Sequence, residues 1–172
     1  MRAPVAALAL VLAGCAPRSG DLPAEQPNSL EARRQVWAAL EAEAPARGLD
    51  PGFVYALVKS ESDFDPHAKR GEARGILQLK PEAWRAFSDL PYGTSVWDWR
   101  ANLTVGLARL AALRAQLEAK GVFSYPLLWA SFHYTFDYVQ ARGFDRSRIP
   151  RPSEPISYRL WKGEVRPLPP PR

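Results

Sequence analysis

Glu61 has the clearest route to chemistry in this sequence. It falls near the end of a helix opened by Asp50-Pro51, an N-cap followed by proline at the first helical position. That helix carries Phe53, Val54, Leu57 and Val58 at core-facing spacing and runs to about Ser62. A carboxyl there faces the negative pole of the helix dipole, which tends to raise its pKa and suits proton donation near neutral pH. On the residues alone, a solvated surface glutamate fits the same position. Asp65 is a rival carboxylate one helical turn on, but Pro66 disfavours helix at the residue before it, so Asp65 reads as a turn residue or loop cap. A lone cysteine, Cys15, allows no internal disulfide, and two histidines, His67 and His133, fall short of a usual zinc site. His133 lies on an aromatic helix face and reads as a core residue; His67 reads as exposed. Phosphate-loop and dinucleotide glycine patterns are absent, so no cofactor and no metal is expected.

The elements that must position these groups are helical. Asn28, with Glu31 three residues on, makes a capping-box-like start for a helix through Val36, Trp37 and Leu40, ended by Pro45 and Gly48. Residues 63–75 read as a loop, Pro81 starts a short helix through Trp84 and Phe87, and Pro91-Tyr92-Gly93 makes a turn. A long helix is predicted from about Trp99 to Lys120, with Leu103, Gly106, Leu107, Leu110, Leu113 and Leu117 on one side and Gly121 closing it. Ser124 can cap one further helix that packs Leu127, Leu128, Phe132, Phe136 and Val139 inward and ends at Gly143. No alternating strand is evident, so the fold class is all-α. The 172 residues suffice for one domain with tails, and 47% hydrophobic against 24% charged residues is a globular balance. The 17 prolines crowd near both ends, and Pro-Leu-Pro-Pro-Pro at the C-terminus is expected to be extended polyproline II. The net charge of +5 is interspersed with acidic residues, so no nucleic-acid surface is expected.

Met1-Arg2, an apolar stretch to Ala13 and then Gly14-Cys15 form a secretory signal too short to span a membrane. Leu12-Ala13-Gly14-Cys15 resembles the bacterial lipoprotein box. That resemblance implies cleavage before Cys15, a lipid on its sulfur and a protein exported and anchored to the cell envelope. The expected organisation is a signal peptide over 1–14, a lipidated flexible tether over 15–28, one domain over 29–163 and a Pro-rich tail over 164–172.

The segment from Ala56 to Trp84 separates an enzyme from a binding module. It contains Glu61-Ser62-Asp63-Phe64, Pro66, Ala68, Gly75-Ile76-Leu77-Gln78 and Pro81. It resembles the lytic transglycosylase family with its goose-type lysozyme-like fold, whose signature is Glu-Ser-x-Phe followed by Gly-Leu-Met-Gln. Asp98, Asn102-Leu103, Gly106 and Leu110 resemble the family's next helix start, and Ile149-Pro150, Glu154 and Tyr158 its late segment. The resemblance spans about Leu49 to Trp161 in the family's order. It implies that Glu61 protonates the bond between N-acetylmuramic acid and N-acetylglucosamine in peptidoglycan. Glu61 then acts as base while the muramic C6 hydroxyl closes a 1,6-anhydro ring, with the 2-acetamido oxygen as a further potential aid. An internal hydroxyl replaces the second carboxylate of ordinary glycosidases.

The same resemblance places Ser62, Gly75, Leu77, Gln78, Phe132, Tyr134 and Tyr158 at the substrate. Trp97 and Trp99 are candidates for stacking on sugars, whereas Trp84 and Trp129 read as core. The implied partners are glycan strands and, through Cys15, a membrane; a monomer is expected. The chain departs from the pattern at Arg70, where the family carries serine, and at Leu77, where it carries methionine. Ala130-Ser131-Phe132-His133-Tyr134 stands for its Ala-Tyr-Asn-x-Gly, and Pro155-Ile156 for a Thr-Arg pair. A hydrolytic muramidase of the same fold and a non-catalytic wall-binding or scaffold lipoprotein are the alternatives.

Overall fold

Short polar side chains set the helix starts. In the computed structural model, which describes residues 28–172, Ser29 rather than Asn28 caps the first helix, its hydroxyl accepting from the Ala32 amide. Asn28 instead donates to Asp63 Oδ2 at 2.8 Å, tying the start of α1 (Leu30–Glu43) to the end of α2 (Pro51–Ser62). Asp50 caps α2 by accepting from the amides of Gly52 and Phe53, with Pro51 at the first position. Between the two helices, a 3-10 turn over Pro45–Arg47 ends on Gly48 in the left-handed region.

Helix α2 is the central element. Gly52 through Val58 are all buried, and α1 and α8 (Pro155–Lys162) pack against it. A helix apolar on nearly every side belongs in a core, and each fully buried Leu, Val or Phe contributes roughly 1.5–3 kcal/mol. The long α5 (Trp99–Ala119), capped by Asp98, turns the predicted leucine face inward and packs on α6 (Tyr125–His133). Trp84 and Trp129 are fully buried, as expected.

Several expectations need correction. The segment over 63–75 is not all loop, because β1 (Lys69–Arg70) and β2 (Ala73–Arg74) form a small antiparallel hairpin turned by Gly71 and Glu72. A short α3 (Pro81–Arg85) stops before Phe87, and α4 (Tyr92–Ser95) stands where a turn was predicted. The helix expected from Ser124 to Gly143 is two. Tyr134 leaves helical geometry, and Thr135, fully extended, accepts from the Tyr138 amide to start α7 (Phe136–Gln140). The Ser124 side chain makes no capping bond. Within the proline-studded C-terminal stretch, Glu154 and Pro155 open α8 by the same device as Asp50 and Pro51. The last residues lie on the body: Leu168 and Pro169 share a cavity with Leu30, Tyr55 and Phe64, and Arg166 pairs with Asp50.

Candidate active site

Glu61 sits on the last turn of α2, where the chain reverses sharply. Asp63 and Phe64 both take left-handed backbone angles (φ 55° and 65°), uncommon for non-glycine residues. Phe64 is held there by burial and by its ring against Tyr55 at 4.9 Å. The reversal brings the hairpin and the 75–78 turn beside the helix end. Ser62 Oγ lies within donating distance of the Ile76 carbonyl at 2.9 Å and the Val58 carbonyl at 3.1 Å, so it staples that turn to α2.

Asn102, on the second turn of α5, holds the turn from the other side. It is fully buried, accepts from the Leu77 amide at 2.9 Å and donates to the carbonyls of Arg74 and Val96 at 3.1 and 3.0 Å. Gly75 (φ 77°) fits this arrangement because a Cβ would lie 2.2 Å from Asn102 Nδ2. At Gly106 a Cβ would lie 2.2 Å from Leu77 Cδ1, so a side chain there would displace Leu77. Gln78 (φ 47°) donates to the carbonyls of Ala68 and Gly75 at 2.9 and 2.8 Å. Gly75 thus shapes the wall from behind, while Leu77 lines the cavity beside Glu61 and Gln78 borders that cavity and both of its neighbours.

The Glu61 carboxyl is 6% exposed, and each oxygen meets a different partner. Arg70 Nη1 lies 3.3 Å from Oε2, and Arg70 Nη2 donates to the Glu61 carbonyl at 3.1 Å. His133 Nδ1 lies 3.1 Å from Oε1. His133 is therefore not the core residue its sequence position predicted. Its ring stacks on the buried Trp129 at 5.2 Å and 11°, meets Tyr134 edge-on, and presents its other side to the cavity. Behind Phe132, Arg109 donates to the Phe132 carbonyl at 2.9 Å and lies 4.5 Å from the ring centre. Burial holds the Arg109 guanidinium below its usual pKa, with the charges of Glu61 and Glu82 opposing that shift.

Three adjoining cavities of about 440, 220 and 230 Å³ make one trough past Glu61. The first two share Glu61, Arg70 and Gln78; the last two share Gln78, Lys80, Phe132 and His133. Ser62 borders the first cavity and Tyr134 the third. Burial pushes the Tyr134 phenol up, as does the neighbouring Tyr138, with Arg142 opposing.

Tyr158 is not brought to this trough. It lines none of the three cavities, and its ring stacks on Trp161 at 5.8 Å with Arg151 over it. Trp99 is 1% exposed and belongs to the core, because the cap at Asp98 turns the first helical residue inward. Trp97 is half-buried between Arg74 and His67, away from the trough. As expected, His67 is exposed, and Asp65 caps the turn by accepting from the His67 amide at 2.8 Å.

Four neighbours of the site are not marked as such by the sequence: Arg70, His133, Arg109 and Glu154. Arg70 and His133 stand where the chain departs from the lytic transglycosylase pattern. Arg109 lies seven residues after Asn102, on the same helix face. Glu154 shows as a cap through its following proline. Among the described residues, no three His, Cys, Asp or Glu converge on a candidate metal site, and no helix is long and apolar enough to cross a membrane. Cys15, with the signal and most of the tether, lies outside the described residues.

No curated protein matches the chain. A family model for the transglycosylase SLT domain matches residues 38–130, more than half of its length. The match covers α2, the hairpin, the Gly75–Gln78 turn and α5, the elements that surround Glu61. With this buried glutamate at its centre, the chain belongs to the transglycosylase SLT domain family.

Proposed function

We propose that this protein is a peptidoglycan lytic transglycosylase that uses Glu61 as its single acid and base. The observation that carries the reading is a buried carboxyl on the wall of an open trough, with its neighbouring carboxylates committed elsewhere. Asp63 pairs with Lys59, and both oxygens of Glu154 accept amide hydrogens at the start of α8. In this reading Glu61 gives its proton to the glycosidic oxygen as the bond to the muramic anomeric carbon breaks. The Glu61 carboxylate then takes the proton of the muramic C6 hydroxyl, whose oxygen bonds to that carbon and closes the 1,6-anhydro ring. Holding the hydroxyl beside the reacting carbon replaces the positioned water that a second carboxylate would activate. His133 orients Oε1, while Gln78, Phe132 and Tyr134 form the wall against which the sugars lie.

A hydrolytic muramidase is the second reading, favoured by Glu154, which lines the same cavity as Glu61. Digestion of purified sacculi followed by mass spectrometry separates the two. Anhydro-muramyl ends support the first reading and reducing ends the second. A folded wild type that binds sacculi and releases nothing would replace both with a wall-binding module.

Export and anchoring through a lipid on Cys15 complete the proposal. Labelled palmitate should enter the wild type and not Cys15→Ser; equal labelling would sink the anchor.

A further inference from the structure

In this structure both carboxyl oxygens of Glu61 are engaged by neighbouring side chains. Arg70 grips it with two nitrogens, one on Oε2 and one on its carbonyl oxygen, while His133 takes Oε1. A proton donor must carry its proton on one of those oxygens and present it to the substrate, and Arg70 stands on Oε2 at 3.3 Å. Arg70 must therefore leave Oε2 before Glu61 can serve as the acid. It is built to move: its side chain is 63% exposed, and it projects from a hairpin of two-residue strands. What it needs is another anion. Carboxylates are natural partners for arginine because the two planar groups match in a bidentate pair. Around it the trough has spare positive charge: Lys69 lies next to it in the chain and Lys80 farther along the trough, and neither enters an ion pair among the described residues.

Where the stem peptide has been removed, muramic acid carries a free carboxylate of its own, on the lactyl ether of the same ring whose anomeric carbon reacts. We propose that Arg70 is the specificity-determining residue of this site, exchanging Glu61 for a carboxylate borne by the muramic acid residue at the bond to be cut. The inference rests on Glu61 being the proton donor of the proposed reaction. The exchange couples recognition to activation: the group that selects muramic acid is the one whose departure frees Oε2 to take up a proton from solvent. A strand of N-acetylglucosamine alone, without the lactyl group, leaves the pair closed.

The test measures binding by calorimetry. It uses the full-length protein and R70S, each also carrying E61Q so that the strand is not consumed. The probes are peptide-free glycan strands with free lactyl carboxylates, the same strands with those carboxyls converted to methyl amides, and peptide-bearing strands. With Arg70 present, free-carboxylate strands should bind about tenfold more tightly than amidated ones, as a charge-assisted pair allows. In R70S the ratio should fall to about one, and R70K should lie between. An Arg70-dependent preference shown only by peptide-bearing strands assigns the carboxylate to the stem peptide and overturns the lactyl assignment. An unchanged ratio in R70S, with its thermal transition intact, overturns the proposal. Turnover of the same strands by the protein with Glu61 intact is read separately. Binding without product would sink the proposed reaction and leave the Arg70 result to stand or fall on the ratio.

Discussion

Gly75→Ala tests the framework that presents Glu61. The native backbone at Gly75 has φ 77°, and the new Cβ would lie 2.2 Å from Asn102 Nδ2 and 2.7 Å from the Val96 carbonyl oxygen. The left-handed angle alone costs a non-glycine residue about 1–2 kcal/mol. Relieving the clash displaces Asn102, a fully buried side chain with three backbone partners. Leaving even one or two buried partners unsatisfied costs about 1–3 kcal/mol each. The expected loss is therefore about 3–5 kcal/mol, measured as a fall in the urea midpoint at unchanged slope. Asn102→Ala should cost a similar amount, and the double variant less than the sum, because removing the Asn102 amide makes room for the new methyl. A Gly75→Ala loss below about 1 kcal/mol, or additivity within about 0.5 kcal/mol, would refute the argument that these residues form one unit.

Other consequences are independent of that unit. Ser62→Ala removes the bond to the Ile76 carbonyl and should cost about 1 kcal/mol of stability; a loss indistinguishable from zero by urea denaturation would remove Ser62 from the staple. Trp99→Ala should destabilise by about 3–5 kcal/mol, as for any large core aromatic, and a loss below about 1 kcal/mol would return Trp99 to the surface. Burial raises the Asp50 pKa, but Arg166 and the amides of Phe53 and Gly52 outweigh it, so the carboxyl ends below its ordinary value. A folded pKa below the unfolded one gives stability that is present above the unfolded value, about 3.9, and is lost as pH falls through the folded one. Asp50→Asn keeps a capping oxygen and should remove that part of the acid loss; parallel stability curves below pH 4 would contradict the assignment.

The fold was legible wherever its signals are local. Asp50-Pro51 and Asp98 announce their helices because capping involves only the next three residues. The leucine face of α5 and the residues of α2 follow from the helical period. The hairpin was hidden because strands of two residues carry no period, and the break at Tyr134 because neither glycine nor proline marks it. No helix was read at α8, although a proline preceded by a capping carboxylate starts it.

The site divides in the same way. Ser62, Gly75, Leu77 and Gln78 lie near Glu61 in sequence and near it in space. Tyr158 does not follow, because α8 points its ring at Trp161. His133 meets Glu61 across 72 residues of chain, and only tertiary packing brings the two together. Arg70 sits close in sequence, but its direction depends on the hairpin.

The most direct test of the central claim is the rate of strand cleavage by Glu61→Gln, which keeps the shape of the side chain and removes its acid. Sacculi digested by the wild type and by this variant, with products quantified by mass spectrometry, should show a loss of at least about a hundredfold, the usual contribution of a general acid. A variant that folds normally and releases product within about threefold of the wild-type rate would show that Glu61 is not the acid.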